Sequence, residues 1–359
     1  MDVREHGFPC CGCGASLEFA PGASALTCPY CGTVQEVEGR SAGPPPEYDF
    51  EEALARLDTV DARSLARDGR EVSCTGCGAM SVIEGHADRC AFCDSPVVLH
   101  TEEDAVFPPE TLLPFSVDRE RARAQFSSWL GSLWFAPSGL QKQARSRGMD
   151  GVYLPFWTYD ADVFATYTGA RGEYYYVTER YTDSNGKSRT RRKRMTRWYP
   201  VQGSVDVSFD DVLVRATSKL PDQLVDKLEP WDLAALTPFD RRFLSGFTAL
   251  RYDIDLEQGF GMAKVIMRER TELVVRSDIG GDTQRVYTMN PVHRDVRFKH
   301  FLLPAWVSSF RYGDRVFRFL VNARTGEVVG ERPWSVWKIL GAALVALLVL
   351  GVFFLLQGY

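Results

Sequence analysis

Eight cysteines in the first hundred residues have the spacing of metal ligands. They form four Cys-x2-Cys pairs, and 14 residues separate the two pairs of the first set, whereas 12 separate those of the second. Two residues between thiolates let one tight turn present both sulfurs to an ion at about 2.3 Å, and a second such turn completes a tetrahedron. The spacing therefore predicts two structural Zn²⁺ sites in two zinc ribbons, with the ligands Cys10, Cys13, Cys28 and Cys31 in the first and Cys74, Cys77, Cys90 and Cys93 in the second.

The remaining residues of these segments fit a closed site. Gly14 and Gly32 directly follow a cysteine, where a positive φ would turn backbone amides toward the sulfurs. Cys11 is separated from Cys13 by one residue instead of two, so we expect it not to be a ligand. A disulfide framework is the alternative, but disulfides are rare in a reducing cytosol. Four thiolates leave no open position for water, so we expect both metals to stabilise the fold and not to catalyse.

The charge distribution restricts the partners of the chain. The whole sequence has 42 Lys and Arg against 47 Asp and Glu, a net charge of −5, which excludes an overall polycation. The zinc-ribbon segments are themselves acidic, with a net charge of −3 over residues 1–40 and −2 over residues 72–100. Acidic surfaces do not bind phosphate backbones, so the zinc ribbons are predicted to contact proteins.

One segment, residues 172–200, is strongly basic, with eight Lys or Arg against three acidic residues. Its Asn185-Gly186 pair is typical of a two-residue hairpin turn, which would place Glu179 opposite Arg192. We call residues 172–200 the basic hairpin. Three interpretations stay open: a solvated hairpin, a contact with anionic lipid headgroups, or nucleic acid stacked on its aromatic rings. The candidate anion-contacting residues are Lys187, Arg189, Arg191, Arg192, Lys193, Arg194 and Arg197.

The C-terminal end of the sequence has the properties of a membrane span. Residues 339–356 contain no charged or polar side chain, and as a helix they would be about 27 Å long, close to the ~30 Å hydrocarbon core. Trp334, Trp337 and Lys338 precede this run, as expected at the headgroup level. We therefore predict a single-pass tail anchor with the N-terminal bulk in the cytoplasm, since the start of the chain has no apolar run of a signal peptide. A buried core helix is the alternative.

The elements between these ends predict an α+β fold, because strands and helices cluster without regular alternation. Helices are expected over residues 118–134 and 257–276, and strands over 152–168, 174–182, 189–199 and 205–217. The predicted order is zinc ribbon 1 at 1–40, a Pro-rich linker with a short helix at 41–71, zinc ribbon 2 at 72–100, a strand-rich α+β domain at 101–333 and a transmembrane tail at 334–359.

Most catalytic signatures are absent from the sequence. Gly186-Lys187-Ser188 looks like the end of a phosphate-binding loop, but Tyr181 stands where that loop requires its first glycine, so ATP hydrolysis is not supported. We expect a protein that is not an enzyme. The enzymatic alternative is an acid–base group drawn from the side chains of Asp160, Asp162, His293 and His300.

Several stretches together resemble a bacterial family of TFIIB-type zinc-ribbon membrane proteins. The resemblance covers nearly the whole chain and is carried by the paired zinc ribbons, the segment 153–162, Leu303-Pro-Ala-Trp306, and residues 312–334 running into the apolar tail. Members are often labelled primosomal protein N′ or superfamily II helicase, a label that conflicts with the missing phosphate-binding loop.

The same resemblance implies a function, because the family is associated with SPFH (flotillin-like) proteins and with phage-shock-type membrane-stress systems. It implies an adaptor or scaffold that recruits protein partners to the cytoplasmic face of the membrane. A membrane-tethered regulator that binds nucleic acid is the first alternative, and an unrecognised enzyme is the second.

Overall fold

The structure is a computed structural model of the full chain. It describes residues 8–23, 25–37, 46–57, 70–74, 79–83, 90, 92, 97–99, 107, 109–137, 148–182, 184, 186–312, 315–331 and 334–357. Two of the predicted metal ligands, Cys77 and Cys93, lie outside the described residues, as does Asn185 of the predicted turn.

Helices and strands are mixed, and strands predominate, so the predicted α+β class is confirmed. The helices are α1 (Phe50–Leu57), α2 (Arg119–Ser132), α3 (Asp222–Val225), α4 (Leu256–Ile279) and α5 (Val336–Gln357). The strands are β1 (Glu18–Ala20), β2 (Ala25–Thr27), β3 (Val34–Glu36), β4 (Tyr48–Asp49), β5 (Arg70–Cys74), β6 (Met80–Ile83), β7 (Val97–Leu99), β8 (Thr111–Leu112), β9 (Asp150–Thr182), β10 (Ser188–Arg215), β11 (Thr237–Pro238), β12 (Thr248–Leu250), β13 (Thr283–Tyr312), β14 (Arg315–Asn322) and β15 (Val328–Gly330).

Helices α2 and α4 each begin directly after an aspartate that caps the first turn. Asp118 accepts a hydrogen bond from the Arg121 amide at 2.7 Å at the start of α2, and Asp255 does the same for the Gln258 amide at 2.7 Å in α4. Helix α4 ends at Gly280, whose φ of +65° suits a residue without a Cβ. The predicted helices over 118–134 and 257–276 are therefore present, with boundaries shifted by one to three residues.

Three strands of 28 to 33 residues, β9, β10 and β13, form the long axis of the molecule. Strand β9 pairs antiparallel with β10 on one side and with β13 on the other. The predicted strands 152–168 and 174–182 are thus one continuous strand, as are 189–199 and 205–217. Gly172, which lies between the two predicted segments of β9, is part of the ladder, and a Cβ at this position would lie 2.9 Å from the ring of Trp198.

One face of this long sheet is covered by α4, and the opposite face is covered near Asp150 but open from about Thr166 onward. The odd-numbered residues of β9 point to the helix: Trp157 Nε1 donates to the Ile254 carbonyl at 3.0 Å, and the Tyr159 hydroxyl donates to the Leu256 carbonyl at 2.7 Å. Even-numbered residues from Thr166 onward lie on the opposite side. We call these two sides the helix-side face and the open face.

Both cysteine-rich segments pack on the α+β domain. Strands β1 to β3 form a small sheet of their own, and Phe19 packs with its ring centroid 5.0 Å from that of Phe243. Strands β5 to β7 instead join the large sheet, because β6 pairs with β12 and β12 pairs with β9. The N-terminal segments therefore share the hydrophobic core of the domain that the sequence places at 101–333.

The basic hairpin is present, but its predicted register is wrong by one residue. Strands β9 and β10 separate at Thr182 and Ser188, so the loop is longer than the predicted two-residue turn, and Gly186 within it has a φ of +75°. Glu179 consequently pairs with Arg191 and not with Arg192. Since side chains alternate between faces along a strand, this slip changes which cations and rings share a face.

Candidate functional site

The cysteines of the first predicted zinc ribbon converge on one point. The Sγ atoms of Cys10, Cys13, Cys28 and Cys31 all lie within 4.8 Å of one another, with Cys10 to Cys31 at 3.4 Å and Cys13 to Cys28 at 3.5 Å. A tetrahedron with metal–sulfur bonds of about 2.3 Å has sulfur–sulfur edges of about 3.8 Å. These four cysteines, which we call the first cysteine cluster, can therefore hold a metal ion.

The backbone around the first cysteine cluster is arranged for thiolate ligands. Gly14 and Gly32 have φ values of +75° and +73°, as predicted, and the Gly12 amide points at Cys10 Sγ at 3.3 Å. Hydrogen bonds from the backbone at Cys13 and Gly12 lower the pKa of Cys10 to about 6. Amides directed at sulfur favour the charged form that a metal ion requires.

Four thiolates in so small a volume repel one another unless a cation joins them. A hydrogen bond from the backbone at Ala15 favours the Cys13 thiolate, but the neighbouring sulfurs of Cys28 and Cys31 outweigh it and raise the pKa of Cys13 to about 12. A divalent ion would remove this repulsion, since metal binding releases the remaining thiol protons. The donor set of four sulfurs is the one typical of structural zinc.

The first cysteine cluster spans the boundary between core and solvent. Cys10 and Cys28 are 4% and 2% exposed and belong to the same hydrophobic cluster as Tyr153 and Trp306, whereas Cys13 and Cys31 are exposed. The Ser245 hydroxyl donates to the carbonyl of Leu17, the residue before β1, and so connects this segment to the α+β domain. Metal bound here would fix residues 8–37 onto the core.

Only half of the second predicted site can be located. Cys74 and Cys90 are both buried and share a hydrophobic cluster with Val152 and Leu154 of β9. The Phe92 amide points at Cys90 Sγ at 3.4 Å, the same arrangement that Gly12 makes with Cys10 in the first cysteine cluster. The structure thus places these two cysteines in the core, and a second metal site stays a prediction.

The register divides the predicted basic residues between the two faces of the hairpin. Arg189, Arg191, Lys193 and Arg197 share the helix-side face with both glutamates of the paired strand. Arg191 lies 2.9 Å from Glu179, and Lys193 lies 3.8 Å from the same carboxylate. Lys187 lies in the loop. The helix-side face is therefore partly neutralised by its own acids.

Arg192 and Arg194 lie on the open face with a row of aromatic rings. Arg194 stacks over Tyr174 at 4.3 Å from the ring centroid, and Arg192 stacks over Tyr176 at 4.7 Å. Arg285 of β13 continues the row, 4.1 Å from the ring centroid of Trp198. Each guanidinium contacts the ring of a neighbouring ladder position, as expected for cross-strand cation–π pairs.

The predicted acid–base group does not assemble. Asp160 and Asp162 are on even positions of β9, whereas His293 and His300 pair with odd positions and lie on the other face of the sheet. Asp160 instead belongs to a charge cluster around Lys299, whose Nζ is 2.8 Å from Asp211 and 3.8 Å from Asp160. The three carboxylates Asp160, Asp210 and Asp211 lie together there, but the Lys299 ammonium already supplies a cation at that place.

Helix α5 is long and apolar enough to cross a membrane, and no residue from Val336 to Phe353 is buried. An aromatic collar surrounds its first turn. Trp134 and Trp337 are 84% and 85% exposed, and the ring centroids of Phe135 and Trp334 are 6.4 Å apart. Lys338 Nζ donates to the Ala136 carbonyl at 2.7 Å. The loop after α2 and the start of α5 are thus joined.

Sequence reasoning missed the contribution of Trp134 and Phe135 to this collar, because about 200 residues separate them from Trp334. It also missed Lys299, a lysine at 92% side-chain burial within a strand, since no motif marks its partners. Arg180 and Arg285 were missed as members of the open face, because their face follows from a register that the loop length decides.

Comparison with known proteins adds one similarity over nearly the full length. No protein-family model matches the chain. No solved structure matches it either. An uncharacterized protein of Bacillus subtilis (strain 168), YdjG, is 25% identical over 341 residues, which is 92% of this chain and 91% of the relative. The similarity is therefore not confined to the cysteine-rich segments.

Proposed function

We propose that this chain is a membrane-anchored adaptor that recruits protein partners to the cytoplasmic face of the membrane. The observation that carries the proposal is the exposed apolar helix α5, which is joined to the folded domain at the aromatic collar. A folded domain anchored at the bilayer surface can bind proteins there through the part of its surface that does not contact the membrane. The resemblance to a family associated with SPFH and phage-shock-type proteins supports partners of that class, in a response to membrane stress.

The collar supports anchoring in a defined orientation. Exposed indole rings at both sides of the domain–helix junction favour the headgroup level, where one part of the ring is apolar and the other is hydrated. Arg324 precedes α5 and Lys338 lies in its first turn, before the apolar run, and positive charge on that side favours a cytoplasmic location of the domain. The proposed topology is a single pass with the N-terminal bulk in the cytoplasm.

Both metals in this proposal are zinc ions with a structural role. The first is held by the first cysteine cluster, and the second by Cys74, Cys77, Cys90 and Cys93. A closed site of four thiolates contributes folding free energy, on the order of 10 kcal/mol in small zinc domains, and offers no position for a reacting water.

The exposed tip of the first zinc ribbon is the proposed contact for a protein partner. Tyr30 is 82% exposed and Val34 is 61% exposed, and both belong to the segment that the cysteines hold. Exposed aromatic and aliphatic side chains on a rigid support are typical anchors of protein interfaces. The acidic charge of residues 1–40 favours a partner with a basic rim.

Purification in mild detergent, with identification of the co-purifying proteins, tests this proposal. The variant Tyr30→Ser/Val34→Ser should lose the partner while it keeps its metal content and melting temperature. Tyr287→Ser/Val265→Ser is the matched control, because it removes one exposed tyrosine and one exposed valine elsewhere. A partner list that is the same for both double variants and the wild type would contradict recruitment by this tip, and a chain that stays soluble with α5 intact would contradict the anchor.

A further inference from the structure

We propose that the open face of the basic hairpin binds single-stranded nucleic acid, with bases stacked along its arginine–aromatic row and phosphates paired with its guanidiniums. The row consists of Trp198, Tyr174 and Tyr176 with Arg285, Arg194, Arg192 and Arg180. This binding activity goes beyond the proposed adaptor function and is independent of it.

The open face has the charge of an anion-binding surface. From Thr166 to Thr182, the described ladder positions of β9 and their partners place four arginines and no Asp or Glu on this side. The two glutamates of the hairpin strand, Glu173 and Glu179, are both on the helix-side face. Of the net charge of +5 over residues 172–200, the open face carries +3 and no acid, whereas the helix-side face carries +2 with both glutamates.

The spacing of the row suits successive stacked bases. Residues two apart on a strand share a face and lie about 6.6 Å from each other along it, so the aromatic and guanidinium planes repeat regularly. Tyr176 is 57% exposed, and the guanidinium of Arg192 lies on its ring. Base stacking on aromatic rings and on arginine planes is the usual contact of unpaired nucleotides and accepts any base.

The same face continues into a polar trough. Below the row, the exposed side chains are uncharged hydrogen-bonding groups that line an open depression of about 470 Å³. They are Thr166, Thr168, Gln202, Ser204, Thr288 and Asn290. Hydroxyl and amide groups beside a stacking row can bind base edges and sugars, which a purely electrostatic contact would not use.

The position of the hairpin disfavours anionic lipid as the occupant. The aromatic collar packs near the Asp150 end of β9, since Ala136 and Met149 share one hydrophobic cluster. Tyr174 is 24 residues beyond Asp150 on that strand, which at 3.3 Å per residue is a distance of up to about 80 Å. Surface charges are screened within about 8 Å at physiological salt, so lipid headgroups near the collar would not attract the hairpin. The loop 183–187 carries no apolar side chain to insert into a bilayer.

Two double variants that interleave in the sequence separate this proposal from general charge attraction. Arg192→Ser/Arg194→Ser removes two positive charges from the open face, and Arg191→Ser/Lys193→Ser removes two from the helix-side face. The full chain in phosphatidylcholine nanodiscs is titrated into a fluorescently labelled oligothymidylate, and anisotropy is read at several salt concentrations. Circular dichroism and metal content confirm that each variant is folded.

The open-face variant should bind at least 10-fold more weakly, and its salt slope should fall by about 1.4, since each phosphate contact on a single strand contributes about 0.7. The helix-side variant should change the affinity less than about 3-fold, because Arg191 and Lys193 lie on the opposite face and share the Glu179 carboxylate. Tyr176→Ser should weaken binding between roughly 5-fold and 100-fold without changing the salt slope, since it removes a stacking ring and no charge.

Three outcomes would overturn the proposal. They are an absence of oligothymidylate binding at about 50 mM salt, where phosphate contacts are strong, an equal loss in both double variants, and binding to phosphatidylglycerol vesicles or polyglutamate in place of the oligonucleotide. The last outcome would assign the open face to a lipid or to an acidic protein segment.

Discussion

The two ends of the long strand β9 are built from the same backbone ladder but stabilised in different ways. Residues 151–159 are all buried, with α4, the cysteine-rich segments and the second half of β13 packed around them. Residues 174–182 pair only with β10 and are mostly exposed. The first region is held by burial, and the second by backbone hydrogen bonds and cation–π pairs.

This difference separates the residues that maintain the fold from those that are free to bind. Substitutions near Asp150 act on packing and on metal, where each removed contact costs several kcal/mol. Substitutions in the basic hairpin act on exposed pairs, each of which contributes about 0.2–1 kcal/mol. The hairpin variants above test the second part of this division, and four further substitutions test the first part, from the largest expected effect to the smallest.

The largest effect is expected from a ligand of the first cysteine cluster. Cys28→Ser should remove one metal ion per chain and destabilise the protein by several kcal/mol, because Cys28 is buried and its site holds residues 8–37 on the core. Metal content and thermal unfolding measure the change. Cys11→Ser is the matched control and should affect neither, since Cys11 is exposed and outside the cluster.

The contact between residues 8–37 and the α+β domain can be tested without changing the cysteines of the first cysteine cluster. Phe19→Ala should lower the free energy of unfolding by about 3–4 kcal/mol, because the Phe19 ring packs on Phe243 and Phe247 and its removal would leave a cavity. Val34→Ala, at an exposed position, should change it by less than about 0.5 kcal/mol. Equal effects in chemical denaturation would show that this segment is not part of the core.

The charge cluster on Lys299 predicts a pH dependence. Burial alone would raise the pKa of Glu47, but Lys299 and Arg297 together lower it. A carboxylate with a lowered pKa stabilises the fold above its unfolded value of about 4.3, and this contribution disappears as the pH falls. Lys299→Met should therefore lower the free energy of unfolding by about 2 kcal/mol at neutral pH. The effect is smaller than for a fully buried ion pair, because solvent screens the partly exposed partners.

The effect of Lys299→Met on stability should itself depend on pH. Unfolding of wild type and Lys299→Met should be compared at about pH 7 and pH 4, and the difference between them should shrink at the lower pH, where protonation begins to remove the Glu47 charge that Lys299 stabilises. A difference that grows on acidification would contradict the arrangement of Lys299 with Glu47, Asp160 and Asp211.

Helix α4 offers the finest comparison, because two of its glycines lie on opposite sides. Gly259→Ala should destabilise by about 1–2 kcal/mol, since the added Cβ would overlap the Tyr159 hydroxyl and the Trp157 ring. Gly261→Ala should stabilise by about 0.5–1 kcal/mol, since that position is open and alanine favours a helix. Urea unfolding of both variants measures the pair, and shifts in the same direction would show that α4 does not cover β9 here.

The sequence predicts elements whose signals are local. Asp118 marks the start of α2, four cysteines at fixed spacing mark the first cysteine cluster, and an uninterrupted apolar run marks α5. Each depends on residues that are close in the chain or on a spacing that the metal chemistry dictates. The adaptor function, the second metal site and the cytoplasmic orientation stay predictions.

Contacts between residues that are far apart in the chain could not be predicted from such local signals. The register of β9 and β10 depends on the loop between Thr182 and Ser188, which is longer than the two-residue turn that Asn185-Gly186 suggests. This difference shifts the register by one residue and places Arg191, not Arg192, opposite Glu179. Likewise, no local pattern reveals that Trp134 meets the start of α5, or that Phe19 packs on Phe243. Tertiary contacts fix these features, and propensity does not encode them.

X-ray absorption at the zinc edge, on the full chain purified in detergent, tests the central claim most directly. The account predicts two zinc ions per chain with four sulfur neighbours each at about 2.3 Å, and one ion remaining in Cys28→Ser. Oxygen or nitrogen neighbours in place of sulfur, or a metal-free chain whose cysteines are bridged to one another, would contradict it.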